Sequence, residues 1–317
     1  MASMAGRVVL VDVWGQVSDI EPALAPLGIA CEQHATVPSG AGIVGLIIGP
    51  DHLLDPSAVA ALPDLRCVST PSTGYDHLAL AAISAAGAYA THVASYCDDE
   101  VADHAIAMVV DLLRGVTLLD RDVRAGGWDF TVAHPRRIAG TMLGIVGMGR
   151  IGSAVAARAT ALGMRVVAYD PLLAGDVVRS RGAEPLETVE ELFAASSVVS
   201  LHALLTDATR GLVGAVQLAA MAPGGFLVNC ARAGIVDHDA LSAALRSGHL
   251  AGAALDVVPT EPPAADDPVL RFPNTIINPH AAFASPASVR APYVRASQAV
   301  AAVLRGDEPT DVIGRPA

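Results

Sequence analysis

The 317-residue chain contains no lysine; all 20 of its basic residues are arginine. That absence excludes Schiff-base catalysis and the Walker-type phosphate lysine. Together with abundant alanine it points to GC-rich bacterial coding. Cysteine is nearly as sparse. Cys31, Cys67, Cys97 and Cys230 are scattered and form no CxxC pair, which argues against a disulfide framework and a metal site and fits a reducing cytoplasm. A basic leader is also missing, and Val8–Val13 is too short for a signal core. The long apolar stretch from Leu212 to Ala231 is broken by Pro223, Gly224, Gly225 and Asn229, so it reads as helix, turn and buried strand, not as a membrane span. Positive charge is short as well. A formal net charge of −12 repels phosphates and argues against nucleic acid or an anionic membrane as partner.

What is present is apolar and alternating. The length suits two domains, and a 52% hydrophobic content can fill two cores. Val8–Val13, Ile43–Ile48, Leu65–Thr70 and Ala88–His92 read as buried parallel strands, with helices at Pro56–Leu62 and Leu78–Ala86 between them. Glu100–Arg114 reads as a long helix and Gly126–Pro135 as a loop. Beyond Asp170, helices at Val189–Ala194, Gln217–Met221 and Asp239–Ser247 alternate with strands at Ser197–His202, Gly225–Asn229, Gly252–Val257 and Thr275–Asn278. Ala287–Leu304 reads as a closing helix that returns to the first domain.

The segment Leu143–Gly152 followed by Arg165–Asp170 has the strongest signature. It reads as strand, glycine turn, helix, second strand and terminal carboxylate, the pattern of a dinucleotide-binding βαβ unit. Gly147 permits the tight turn, Gly149 lets the backbone approach a pyrophosphate, and Gly152 lets the helix pack closely. The helix from Arg150 to Leu162 directs the positive end of its dipole at the phosphates. Asp170 is placed to accept from the adenosine ribose hydroxyls and to repel a 2′-phosphate, which favours NAD over NADP. The fold expected is α/β, with a Rossmann domain (99–285) inserted into a smaller flavodoxin-like, doubly wound substrate domain (1–98 and 286–317).

Three polar residues follow strands downstream: Arg232 in VNCARAGIVD, Glu261 in DVVPTEP and His280 in NPHAA. With Ser72–Asp76 and the GMGRIG turn, these segments resemble the D-isomer-specific 2-hydroxyacid dehydrogenases over nearly the whole length. The resemblance implies an NAD-dependent oxidoreductase acting on a small 2-oxo acid or 2-hydroxy acid. In that scheme Arg232 grips carboxylate and carbonyl, His280 is the acid/base, and Glu261 fixes the imidazole tautomer. The Thr73 and Gly74 amides complete the carboxylate cradle, so that substrate lies in an interdomain cleft. Arg150, Ile151, His202, Thr206, Cys230 and Asp256 carry over to the cofactor.

Tyr96–His104, Pro135–Arg137 and His280–Phe283 are similar to a subgroup containing the C-terminal-binding-protein corepressors and their bacterial enzyme relatives, with Phe283 as an apolar wall of the substrate pocket. An NADH-sensing scaffold is therefore one alternative, and a 3-phosphoglycerate-type dehydrogenase another. The segments 72–76 and 93–100 contain no Arg but hold Asp76, Asp98, Asp99 and Glu100, which disfavours a phosphorylated substrate. Arg136 and Arg137 are the exception, on a loop with the reach to serve a neighbouring subunit. Ala233, Ala94 and Leu204 depart from the family's usual Gly, Pro and Pro. The resemblance further implies a homodimer, built on the helix near Glu100 and the arm carrying Trp128.

Overall fold

A computed structural model describes residues 6–317. Contacts divide it into two units, one running to Tyr96 and resuming at Ala284, the other Cys97–Phe283.

The first unit starts with β1 (Arg7–Val11), α1 (Val17–Leu24), β2 (Ala30–His34), β3 (Ile43–Ile48), α2 (Pro56–Ala60), β4 (Cys67–Ser69), α3 (Leu80–Ala85) and β5 (Tyr89–Thr91). β3 is buried along its whole length, as an interior parallel strand covered on both faces must be.

The second unit opens with α4 (Asp98–Arg114). Its first turn holds Asp98, Asp99 and Glu100, its last holds Arg114, and Gly115 stops it at φ +66°, so charge and cap both suit the helix dipole. Then come α5 (Val116–Arg124), β6 (Met142–Val146), α6 (Arg150–Ala161), β7 (Arg165–Tyr169), α7 (Gly175–Ser180), β8 (Glu184–Pro185), α8 (Val189–Ala195) and β9 (Val198–Leu201). The unit finishes with α9 (Ala215–Ala220), β10 (Gly225–Asn229), α10 (His238–Arg246), β11 (Leu250–Leu255) and β12 (Thr275–Ile277). The chain then returns to the first unit as α11 (Ala291–Arg305) and β13 (Val312–Gly314).

In the first unit the strand order is β13-β5-β4-β3-β1-β2, parallel except for β13. One core packs α1 and α11 against the sheet and another packs α2 and α3 against its opposite face. In the second unit the order is β12-β11-β10-β9-β6-β7-β8, all parallel. α4 and α6 cover one face of that sheet, and α8, α9 and α10 the other. This is the doubly wound α/β architecture expected from the sequence.

Several elements were not readable as elements. β2 (ACEQH) is an edge strand with no fully buried residue, so it lacks an apolar run. α1, α5 and α7 are short, and α5 buries none of its residues. The 126–135 loop contains a 3-10 turn at Phe130–Ala133. Among the described residues no helix is long and apolar enough to cross a membrane, and no group of three or more His, Cys, Asp and Glu is placed to hold a metal.

Candidate active site

Strand order in the second unit reverses between β6 and β9. In open parallel sheets, ligands meet the carboxyl ends of the strands at such a reversal. The glycine turn leaves β6 there. Gly147 has φ +91°, and a Cβ on it would fall 2.9 Å from the backbone of His202 and Ala203. A Cβ on Gly152 would sit 2.1 Å from the Gly147 carbonyl oxygen. At Gly149, by contrast, nothing lies within 4 Å of the Cβ position. Open space therefore fronts the N-terminus of α6, whose first-turn N–H groups lack acceptors within the helix. A dinucleotide pyrophosphate fits that cradle.

Around the turn, the Met148 amide donates to Asp170 Oδ2 at 2.8 Å, and Leu172 N–H donates to Oδ1 at 3.0 Å. Arg150 pairs with Asp98 at 3.2 Å, and Ile151 is half-buried. His202 lies 2.8 Å from Ser200 Oγ, and burial pushes its imidazole down to about 4. Thr206 caps a tight turn, its N–H donating to Thr209 Oγ1 at 2.8 Å. Burial, and then Asp256, push the Cys230 thiol far up, so it stays protonated beside the Met108 sulfur.

The catalytic candidates come from loops after β10, β11 and β12. His280 Nδ1 lies 2.7 Å from Glu261 Oε2, while Glu261 Oε1 accepts from Val258 N–H at 2.9 Å. Burial works to raise the Glu261 carboxyl. The hydrogen bond and charge of His280, the Val258 amide and Arg232 outweigh it and hold the group below the usual carboxylate range. His280 Nε2 has no hydrogen-bond partner among the described residues. The His280 and Phe283 rings meet edge to face at 6.5 Å.

Two residues that set this geometry were missed or only partly read from sequence. Asn229, fully buried at the end of β10, donates from Nδ2 to the Arg232 carbonyl at 3.0 Å and accepts from Ala231 N–H at 3.0 Å. It closes the loop that presents Arg232. Asp256, expected only as a cofactor contact, anchors the His280 loop. Its carbonyl accepts from His280 N–H at 2.8 Å, and its carboxylate accepts from Ala281 and Ala282 N–H at 2.8 and 2.9 Å. These bonds hold His280 at φ +51°, a strained conformation for a residue with a Cβ. His104 Nε2, buried and without a hydrogen bond, stands 3.7 Å from Asp256 Oδ1. The signal for both was position alone: a polar side chain ending a buried strand.

Thr73 and Gly74 lie in the first unit, after β4. Their carbonyls are engaged, by the His92 ring at 2.8 Å and by Ser72 Oγ–H at 2.6 Å. Their own N–H groups have no acceptor among the described residues. Ala233 does not adopt a positive φ, so replacing the usual glycine there strains nothing. Arg136 lies over the Phe226 ring, 4.9 Å from its centroid. Asp98 and Asp99 are likewise engaged, by Arg150 and Arg158, so they weigh less against a phosphorylated substrate than their charges imply.

A Rossmann-type sheet with a phosphate-ready turn and a His–Glu pair on neighbouring strand ends defines a nucleotide-dependent oxidoreductase. The model for the D-isomer specific 2-hydroxyacid dehydrogenase NAD binding domain matches residues 106–282. The chain is 36% identical over 278 residues to a glyoxylate reductase of Korarchaeum cryptofilum, covering 86% of this chain and 82% of that one. The D-lactate dehydrogenase of Aquifex aeolicus, solved with NAD and lactic acid, superposes with a TM-score of 0.88 at 26% identity, covering 98% of this chain and 100% of that one. An NADPH-dependent glyoxylate/hydroxypyruvate reductase of Sinorhizobium meliloti gives 0.85 at 25% identity, covering 99% of each. The chain belongs to the D-isomer specific 2-hydroxyacid dehydrogenase family. It is an NAD-dependent oxidoreductase.

Proposed function

We propose that the protein reduces a small 2-oxo acid without a phosphate to the 2-hydroxy acid, using NADH. The observation that carries this reading is the 2.7 Å contact between His280 Nδ1 and Glu261, which leaves Nε2 as the free proton donor. When bound, the cofactor supplies the hydride, and the residues of the chain do the rest. Arg232 binds the substrate carboxylate and orients the carbonyl through its planar fork. As the carbonyl carbon is reduced, His280 delivers its Nε2 proton to the oxygen. Glu261 holds the imidazolium in place and offsets its charge. In the reverse direction the same nitrogen takes the hydroxyl proton. The unspent Thr73 and Gly74 amides are assigned to the substrate carboxylate, and Phe283 to its side chain.

Asp170 is assigned to the adenosine ribose and favours NAD. The Arg150 and Ile151 amides with the three glycines are assigned to the pyrophosphate, His202 and Thr206 to the adenosine side, and Cys230 and Asp256 to the nicotinamide end. Glyoxylate, hydroxypyruvate and short-chain 2-oxo acids are the substrates of choice, because the 72–76 segment carries no arginine for a phosphate. We also assign a homodimer to the arm after α4, where Trp128 is 90% and Phe130 74% exposed.

The test is loss of NADH absorbance against a panel of 2-oxo acids, with 3-phosphohydroxypyruvate included. Turnover of an unphosphorylated acid is expected. Activity confined to the phosphorylated acid, or no turnover despite NADH binding, would overturn the reading.

A further inference from the structure

We propose that His92 is a positioning residue for the substrate: it aims the Gly74 N–H at the carboxylate of the 2-oxo acid. The proposal rests on the assignment of the Thr73 and Gly74 amides to that carboxylate and adds the group that orients them.

The C=O and N–H of a trans peptide lie in one plane and point opposite ways, so gripping the carbonyl aims the amide. The Gly74 N–H shares its plane with the Thr73 carbonyl, and the Thr73 N–H shares one with the Ser72 carbonyl; both bonds are trans. Each carbonyl is held by a residue that follows β5. Val93 N–H donates to the Ser72 carbonyl at 3.1 Å. His92 Nδ1 lies 2.8 Å from the Thr73 carbonyl oxygen. A carbonyl only accepts, so Nδ1 carries the proton and donates it. Both cradle N–H groups therefore face away from the 92–93 segment. A donor behind the carbonyl also polarises the peptide, which makes its N–H the better partner for an anion.

His92 is itself held on two flanks. Its backbone N–H donates to the Asp311 carbonyl at 3.1 Å, beside β13, and its ring meets Tyr75 edge to face at 5.3 Å. The residue is half-buried, and among the described residues its ring makes one hydrogen bond, the one to Thr73. The loop does not need that bond to close. Ser72 Oγ–H donates to the Gly74 carbonyl at 2.6 Å, Thr70 Oγ1 lies 2.9 Å from Ser72 Oγ, and Val93 N–H already holds the Ser72 carbonyl. What the imidazole adds is the angle of one peptide plane. Glycine on the far side of that plane lets it turn at little steric cost once released, so the amide keeps its aim only while the carbonyl is held.

The experiment pairs steady-state reduction of glyoxylate by NADH with calorimetric binding of oxamate to the NADH-loaded protein. Oxamate carries the same carboxylate beside a carbonyl that hydride does not reduce. His92→Ala should raise the glyoxylate KM and the oxamate Kd by about five- to twentyfold, with kcat and the NADH KM within about twofold of wild type. His92→Asn, whose Nδ2 stands where Nδ1 stood, should recover most of the loss. An unchanged KM in His92→Ala, or an Asn variant as impaired as Ala, would reduce His92 to packing against Tyr75 and overturn the proposal while the reductase reading stands. A fall in kcat at constant KM would overturn it too. Oxamate binding weakened in His92→Ala and restored in His92→Asn, without glyoxylate turnover by wild type, would support the positioning role while removing the reductase reading. Wild type that neither reduces glyoxylate nor binds oxamate would overturn both.

Discussion

His280 and Glu261 are 19 positions apart in the chain yet share a 2.7 Å contact, and the proposed chemistry uses the imidazole nitrogen that this contact leaves over. His280→Ala should lower kcat by about 10²–10⁴, with circular dichroism unchanged. An unaltered kcat would remove His280 from the chemistry. Glu261→Gln keeps the shape but removes the charge beside an imidazolium. The reductase kcat should then fall, because the charge that develops on the ring is no longer offset. An unaltered kcat would assign Glu261 to packing. His202 gives a stability prediction. Burial lowers its folded pKa from 6.5 to about 4. Between those values the unfolded chain takes up a proton that the folded chain refuses, so stability falls as pH drops through that window and levels off below it. Urea midpoints of the cofactor-free protein should show a shallower acid slope for His202→Gln than for wild type. At this scale Arg232, Glu261 and His280 were legible because each sits in a distinctive segment after a strand. Asn229 and the loop-anchoring role of Asp256 were not, since they act through backbone hydrogen bonds that leave no pattern in the chain.

The turn between β6 and α6 shows how an element is built from what it lacks. At Gly152, an added methyl group would meet a backbone oxygen at 2.1 Å, and a backbone oxygen cannot rotate away as a side chain can. Gly152→Ala should cost about 1–3 kcal/mol in urea unfolding and weaken NADH binding, as α6 is pushed off the turn. Unchanged stability and affinity would show that the helix shifts freely. Elements with a buried, periodic face, such as β3, α4 and α6, could be read in advance. β2 and α5 could not, because each leaves most or all of its residues outside the core.

For the whole molecule, the exposed aromatics of the arm lead to an association test. Light scattering at micromolar protein should give the mass of a dimer. Trp128→Arg should shift it toward the monomer while NADH binding by the second unit persists. A wild-type monomer would refute the assigned dimer. The alternation of strand and helix, the glycine turn and the segments around Arg232, Glu261 and His280 determined the fold class, the cofactor and the family, because burial periodicity and glycine geometry are local and recur along the chain. Tertiary structure alone decided which charges are spent. Asp98 and Asp99 are paired with Arg150 and Arg158 within the second unit. Arg181, which no motif marks, is brought to the backbone of Met148. Sequence displays a charge, but whether it is neutralised depends on a partner within a few ångströms, and folding alone supplies that partner.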